Sequence, residues 1–220
     1  MILQPETRLV CIGDSITDCG RLYSPDNAAA REALGDGYVN LVDAALKTKY
    51  PDYSIEVLNR GISGNTVRDL KTRWQRDVLD LKPDWLSIFI GINDVWRQFD
   101  SFGLQKTITL EEYKLTLEDL IRQVEGTLKG LILITPYYLE PDVTEPMRAR
   151  MDAYGKAVLE LAQLHNAVLV NTQEVFNTVL RFLGSVELSA DRVHMNTAGH
   201  MMLAAAFLEA VQFDWNRIPE

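Results

Sequence analysis

A serine stands where the first apolar run of the chain ends. Residues 9–12 are Leu, Val, Cys and Ile, and Gly13-Asp14-Ser15 follows them directly. A serine hydroxyl becomes a nucleophile for acyl transfer when a neighbouring base takes its proton. The position suits that chemistry, because open α/β sheets bind ligands at the carboxyl ends of their strands. The same triplet also forms ordinary turns, and the local sequence favours a turn. The rest of the chain must decide between the two.

The other groups that such a serine needs occur later in the chain. Asp191 and His194 are three residues apart, just before the last helical pattern. One turn of chain lets such a carboxylate orient the imidazole that serves as base. An acyl-transfer intermediate also needs donors for its oxyanion. The backbone amide of Gly64 and the side-chain amide of Asn93, each after a strand candidate, are suitable types.

Each of these residues has a plainer interpretation. Asp191, His194 and His200 could be metal ligands, but no His-Glu-x-x-His motif or cysteine cluster supports such a site. Without a metal site, we expect His200 to be a structural residue. Asn93 could cap a helix, a role compatible with donation to an oxyanion. The aspartates Asp14 and Asp94 are interpreted as acceptors that stabilise turns rather than as acids or bases.

Alternating strand and helix patterns place these residues at one edge of a sheet. Short runs rich in Ile, Val and Leu are typical of parallel strands that are covered on both faces. Five such strands joined by crossover helices predict a doubly wound parallel sheet in an α/β fold. We expect strands at 8–12, 55–59, 86–90, 131–135 and 168–171, helices from 67 to 81, from 110 and near 38–49, 146–164 and 197–210, and long loops at 16–35 and 92–108.

Composition excludes several classes of partner and indicates one domain. The 220 residues suit a single catalytic domain spanning 1–220. The formal net charge of -9 argues against a nucleic-acid or anionic-membrane binder. Two cysteines and no signal-peptide pattern or membrane-length apolar run predict a soluble, cytoplasmic protein. The sequence contains neither the phosphate-binding nor the dinucleotide-binding glycine motif, and we expect no cofactor and no metal.

Four separate blocks resemble the GDSL or SGNH hydrolases. The blocks are Gly13-Asp14-Ser15, residues 61–64, residues 91–94 and residues 191–194, in that order. The resemblance implies a three-layer α/β/α, flavodoxin-like fold with a five-stranded parallel sheet. By motif position it implies Ser15 as nucleophile, His194 as base and Asp191 as its orienter. It also implies an oxyanion hole formed by the amides of Ser15 and Gly64 and the side chain of Asn93.

Longer stretches, at residues 13–21, 61–70 and 91–97, resemble the small acetylxylan esterases and carbohydrate deacetylases of that family. The resemblance implies a serine esterase that removes O-acetyl groups from carbohydrate, specifically from acetylated xylo-oligosaccharides. The alternatives are a lipid-directed esterase, thioesterase or lysophospholipase of the same family, and a binding module that has lost turnover. One departure is Met195, where the family usually has proline after the histidine.

Further expectations concern the substrate and the assembly. Trp96 is either a wall of the acyl pocket, which would favour short acyl groups, or a core residue. Tyr137 and Tyr138 end the fourth strand and are candidate substrate-binding residues. Members of the resembled group can form higher oligomers, so we expect a homo-oligomer with Phe213 and Trp215 as contacts.

Overall fold

Five parallel strands form the centre of the computed structural model, which describes residues 1–23, 33–100 and 107–219. The strands lie in the order β2-β1-β3-β4-β5, the flavodoxin-like order of a doubly wound sheet. Each lies within two residues of a predicted strand, so the fold prediction is confirmed. The strands are β1 (Arg8–Gly13), β2 (Glu56–Gly61), β3 (Trp85–Phe89), β4 (Gly130–Ile134) and β5 (Val168–Val170).

Helices cover both faces of this sheet. α2 packs against α9 on one face, while α5 packs against α3 and α6 on the other. The helices are α1 (Ser15–Asp18), α2 (Tyr38–Lys49), α3 (Val67–Asp77), α4 (Ile92–Asp100), α5 (Leu110–Arg122), α6 (Pro146–Leu164), α7 (Thr172–Val179), α8 (Ser185–Leu188) and α9 (Thr197–Ala210).

The strands are apolar because both of their faces are buried. In β1, Leu9, Val10 and Ile12 are inaccessible to solvent, and β3 is buried along its whole length. Such strands need continuous apolar runs rather than alternation, which is the pattern the sequence shows. The apolar core therefore fixes the register of the sheet and aligns the carboxyl ends of the strands at one edge.

Helix caps fix where the chain turns back from that edge. Thr66 and Asp69 form a reciprocal capping box at the start of α3, as predicted. The hydroxyl of Thr109 accepts a hydrogen bond from the Glu112 amide at the start of α5. Caps of this kind satisfy amides that a helix leaves unpaired at its first turn.

The two expected long loops are partly wrong. α1 extends to Asp18, inside the first segment, and α4 occupies residues 92–100 of the second. α4 forms because Ile92 and Val95 lie one turn apart and bury against the core. Residues 24–32 of the first segment and 101–106 of the second lie outside the described residues. Among the described helices, none is long and apolar enough to cross a bilayer.

Candidate active site

A continuous chain of hydrogen bonds joins Ser15, His194 and Asp191. The hydroxyl oxygen of Ser15 lies 2.9 Å from Nε2 of His194. Nδ1 of the same imidazole lies 2.7 Å from Oδ2 of Asp191. The serine begins α1 and the other two precede α9, so folding brings together groups 179 residues apart in sequence. Side chains of Asp191 and His194 are 41% and 47% exposed, which leaves the group open to a substrate.

The turn that carries Asp191 keeps its carboxylate charged. Oδ1 accepts hydrogen bonds from the amides of Val193 and His194 and from the Ser189 hydroxyl. Burial alone would raise the pKa of Asp191, but these bonds and the His194 ring hold it well below the usual range. An ionised carboxylate accepts the Nδ1 proton of His194. Nε2 is then the acceptor that faces the Ser15 hydroxyl.

Asp14 positions the serine through the first turn of α1. Its Oδ1 accepts from the Ile16 amide, a bond that caps this short helix. Its neighbour Ser15 is the first residue of the helix, where backbone amides have no intrahelical acceptor. The Ser15 amide therefore has no acceptor within α1 and is available to a ligand next to the serine hydroxyl.

Gly64 and Asn93 follow β2 and β3, the two strands that flank β1 in the sheet. Gly64 has a φ of 80°, a left-handed conformation that glycine adopts without strain. Within the described part of the chain, no acceptor pairs with the Gly64 amide. Nδ2 of Asn93 donates to the Asn65 carbonyl at 3.0 Å, which uses one of its two amide hydrogens. Asn93 is the second residue of α4 and 3% exposed, so the helix-cap interpretation is wrong.

Close packing at Gly61 lets α1 lie over the end of β2. A Cβ atom at Gly61 would lie 2.1 Å from the Asp18 amide nitrogen, so the position excludes any side chain. Asp18 in turn accepts hydrogen bonds from the amide and hydroxyl of Ser63. The helix of the serine and the turn of Gly64 are thereby joined directly.

Two buried polar side chains, those of Arg73 and Asp94, also hold this arrangement. The guanidinium of Arg73 donates to the Gly13 carbonyl at 2.8 Å and to Oδ1 of Asn65 at 2.7 Å. Oδ1 of Asp94 accepts from the Val67 amide at 3.0 Å, at the start of α3. These bonds connect the segments that carry Ser15, Gly64 and Asn93. Asp94 was expected to stabilise a turn, whereas no sequence signal pointed to Arg73.

Asp14 and Asp94 are buried carboxyls with unusual titration. Each has one oxygen that is buried without a hydrogen-bond partner. Burial raises the pKa of both to about 7. For Asp94 the nearby charge of Asp14 adds to the effect of burial. Both carboxyls are therefore partly protonated near neutral pH.

The three predicted substrate-binding residues differ in how deeply they are buried and in what they contact. The Trp96 ring lies 5.6 Å from the His194 ring, centroid to centroid, and is partly buried, so it borders the site. Tyr138 is partly buried. The Tyr137 prediction is wrong, because its side chain is completely buried. Its hydroxyl donates instead to the Val193 carbonyl, next to His194.

His200 does not join Asp191 and His194. Its Nδ1 accepts from the Tyr38 amide and its Nε2 lies 3.3 Å from the Cys19 sulfur. Burial lowers the pKa of His200 to about 4, so the ring is neutral and structural. Among the described residues, no three His, Cys, Asp or Glu side chains converge as metal ligands.

A cavity of about 410 Å³ opens beside Gly64 and Asn93. Gly64 and Asn93 line it, together with the side chains of Arg97 and Gln98. Polar and charged groups predominate in this lining, and Ile108 is its one aliphatic member among the described residues. Such a lining suits a ligand that is rich in hydroxyl groups.

Comparison with known proteins identifies the family. The pattern of the GDSL-like lipase/acylhydrolase family matches residues 11–202, so the chain belongs to that family. An acetylxylan esterase from Geobacillus stearothermophilus is 51% identical over 211 residues, 96% of either chain. Its crystal structure has a TM-score of 0.95 at 49% identity and covers 99% of both chains.

Other solved structures agree. An α/β hydrolase from the metagenome of Lake Arreo, Spain, has a TM-score of 0.92 at 44% identity, over 96% of this chain and 98% of its own. Further structures of the Geobacillus enzyme are catalytic mutants in which a serine, an aspartate or a histidine is replaced by alanine.

Proposed function

We propose that this member of the GDSL-like family is a serine esterase that removes O-acetyl groups from carbohydrate, specifically from acetylated xylo-oligosaccharides. The observation that carries the proposal is the hydrogen-bonded chain Ser15–His194–Asp191 beside the donors of Gly64 and Asn93. The substrate class is supported by the similarity to the Geobacillus enzyme, which is named as an acetylxylan esterase.

In the first half of the reaction, the Ser15 hydroxyl attacks the acetyl carbonyl. The neutral His194 takes the hydroxyl proton on Nε2, which lies 2.9 Å from the attacking oxygen. Asp191 keeps the ring in the required tautomer and stabilises the imidazolium that forms. His194 then returns the proton to the departing sugar oxygen, and the acetyl group stays on the serine.

The negative charge that develops on the carbonyl oxygen needs preorganised donors. We assign this role to the amides of Ser15 and Gly64 and to the second amide hydrogen of Asn93. Arg73 and Asp94 hold the segments that carry these donors, so the donors need little rearrangement during the reaction. In the second half, His194 activates a water molecule that attacks the acetyl-serine ester. The same donors stabilise the oxyanion, and acetate leaves as Ser15 recovers its proton.

Two features near the site favour a short acyl group on a polar leaving group. The Trp96 ring lies against His194, where it would limit the length of the acyl chain. The cavity lined by Gly64 and Asn93 is polar and large enough for a sugar ring, within the usual range for ligand pockets. A long fatty-acyl chain would instead need an apolar channel.

We also propose a single catalytic domain over residues 1–220 that works in the cytoplasm without metal or cofactor and binds neither nucleic acid nor membrane. The net charge of -9 supports the absence of polyanionic partners. A homo-oligomer with Phe213 and Trp215 as contacts is part of the proposal. The Trp215 side chain is 49% exposed and its ring packs 4.7 Å from that of Phe213.

Acetate release from acetylated xylo-oligosaccharides tests the function. We expect turnover by the native chain and loss of turnover in Ser15→Ala. Ser54→Ala is the matched control, because Ser54 lies before β2 at the opposite edge of the sheet. Loss of activity in Ser54→Ala as well, or full activity in Ser15→Ala, would contradict the proposal.

A rate profile against acyl length separates the alternatives. A sharp maximum with acetyl esters supports the deacetylase, whereas a maximum with long chains identifies a lipid-directed esterase or thioesterase. Absence of hydrolysis of every activated acetyl ester by the pure protein identifies a non-catalytic binding module.

A further inference from the structure

A second cavity of about 460 Å³ is lined by three arginines. Arg21, Arg60 and Arg76 share it with Tyr23, Ile62, Asp77, Asp80 and Leu81. The chain as a whole carries a net charge of -9, so a cavity with an excess of positive charge runs against the general trend. The cavity and its arginines have no part in the mechanism described above.

Two of these arginines have no carboxylate partner among the described residues. Arg21 is 8% exposed, and its Nε donates to the Gly61 carbonyl rather than to an acid. Nε of Arg60 is buried without any hydrogen-bond partner. Burial and the positive charge of Arg60 act unfavourably on the Arg21 cation, while the charges of Asp18 and Asp77 act favourably on it. Buried charges in proteins are ordinarily paired, so an anion bound between the buried Arg21 and the partly buried Arg60 would complete this arrangement.

The carboxylates nearest to the two arginines are already occupied. Asp77 accepts hydrogen bonds from Arg73 and Arg76. Asp18 accepts from the Tyr23 hydroxyl and from Ser63. Neither acid forms an ion pair within 4.0 Å with Arg21 or Arg60, so both guanidinium groups are available to an anionic ligand.

The other lining residues indicate what carries that anion. Three arginines and two aspartates give the lining a formal charge of plus one, which matches a monoanion such as a carboxylate better than a dianionic phosphate. The guanidinium of Arg21 lies 4.1 Å over the centre of the Tyr23 ring, a side chain that is 55% exposed. Tyr23, Ile62 and Leu81 offer an apolar wall, while Asp80 offers an acceptor for hydroxyl groups.

One short turn of the chain, residues 62–64, separates this cavity from the cavity beside Asn93. Ile62 lines this cavity, and Gly64, two residues later, lines the cavity beside the oxyanion donors. We propose that the arginine cavity binds the carboxylate of a sugar acid, so that the enzyme accepts acetylated saccharides that carry an acidic sugar unit. The saccharide part of this inference rests on the proposed function, whereas the carboxylate site does not.

Binding of glucuronate to the full chain tests the inference, followed by NMR at low ionic strength. We expect saturable binding that perturbs the amide signals of Gly61 and Ile62. In Arg60→Gln the affinity falls on the order of 10- to 100-fold, the usual loss for a hydrogen-bonded ion pair. Arg150→Gln, at an exposed arginine on α6, is the matched control and binds like the native chain.

Other ligands test which chemical group the arginine cavity recognises. Glucose should not bind here, and acetate should bind more weakly than glucuronate. Equal binding of acetate and glucuronate would overturn the saccharide part, and tighter binding of inorganic phosphate would overturn the carboxylate assignment. If Arg60→Gln fails to fold, Arg76→Gln replaces it, because the Arg76 side chain is 70% exposed. Unchanged glucuronate affinity in the folded variant overturns the site.

Acetate release from neutral acetylated xylo-oligosaccharides is measured in parallel on the native chain. Release without any glucuronate binding overturns this inference and leaves the proposed function standing. Glucuronate binding without any release supports the carboxylate site, while the deacetylase function fails.

Discussion

The exchange Asp94→Asn should reverse its effect on stability between acid and alkaline pH. The Asp94 side chain is 1% exposed and one of its oxygens accepts from the Val67 amide. Its other oxygen is buried without a partner. Asparagine keeps the acceptor for Val67 but cannot ionise. The exchange therefore isolates the free energy of a buried carboxylate.

The direction in which stability changes with pH follows from the pKa of Asp94, which burial raises to about 7. In the unfolded chain an aspartate titrates near 3.9. Between these values the folded state holds a proton that the unfolded state has lost. The free energy of unfolding of the native chain therefore falls as pH rises, by about 1.4 kcal/mol per pH unit and about 4 kcal/mol in all.

The Asp94→Asn variant does not lose this stability as pH rises, but the substitution itself destabilises the folded state. At this position the protonated carboxyl has one O–H donor, whereas the amide has two N–H donors, and a further buried donor without acceptor costs about 1–3 kcal/mol. Near pH 4 the variant is therefore less stable than the native chain. Above pH 7 the cost of about 4 kcal/mol in the native chain exceeds that penalty, so the variant is more stable.

Urea denaturation at a series of pH values measures the difference. Asp119→Asn is the matched control, since Asp119 is an exposed carboxylate on α5 paired with Lys71. The difference between Asp94→Asn and the native chain should change sign with pH, while that of the control should not. A difference that stays constant from about pH 4 to 8 would refute the reasoning from burial.

Three other substitutions test the proposed roles at the site. Asn93→Ala should lower kcat on the order of 100- to 1,000-fold through loss of one oxyanion donor, and an unchanged kcat would remove Asn93 from the oxyanion hole. Asp191→Asn should lower kcat on the order of 10,000-fold, because an amide stabilises the wrong tautomer of His194; steady-state kinetics on a variant with native circular dichroism checks this, and a loss below about tenfold would contradict it. Trp96→Ala should raise kcat/KM for butyryl esters relative to acetyl esters, and an unchanged ratio would show that Trp96 does not limit acyl length.

The fold could be predicted because its strands are buried on both faces. Residues such as Val10 and Leu133 lie in continuous apolar runs, which are typical of parallel strands. α4 was missed because its first turn, Ile92-Asn93-Asp94, has the composition of a loop. Its helical pattern depends on burial of Ile92 and Val95 against neighbouring elements, which the sequence does not show.

The polar groups of the site were predicted from their residue types, while their supports were not. Tyr137 was expected to face the substrate because it follows a strand, but the structure turns it into the core below the His194 segment. Arg73 lies in the helix predicted from 67 to 81, and an arginine on a helix ordinarily faces solvent. Only the three-dimensional fold shows its contacts with Gly13 and Asn65.

Trapping of the acyl-enzyme tests the central role of Ser15 most directly. The native chain is mixed with an acetyl ester, quenched with acid within the first turnover and digested, and the peptides are analysed by mass spectrometry. We predict one acetyl group on the peptide that contains Ser15, at the hydroxyl oxygen that lies 2.9 Å from Nε2 of His194. Rapid ester hydrolysis with no acetyl group on Ser15, or with the acetyl group on another residue, would contradict the account.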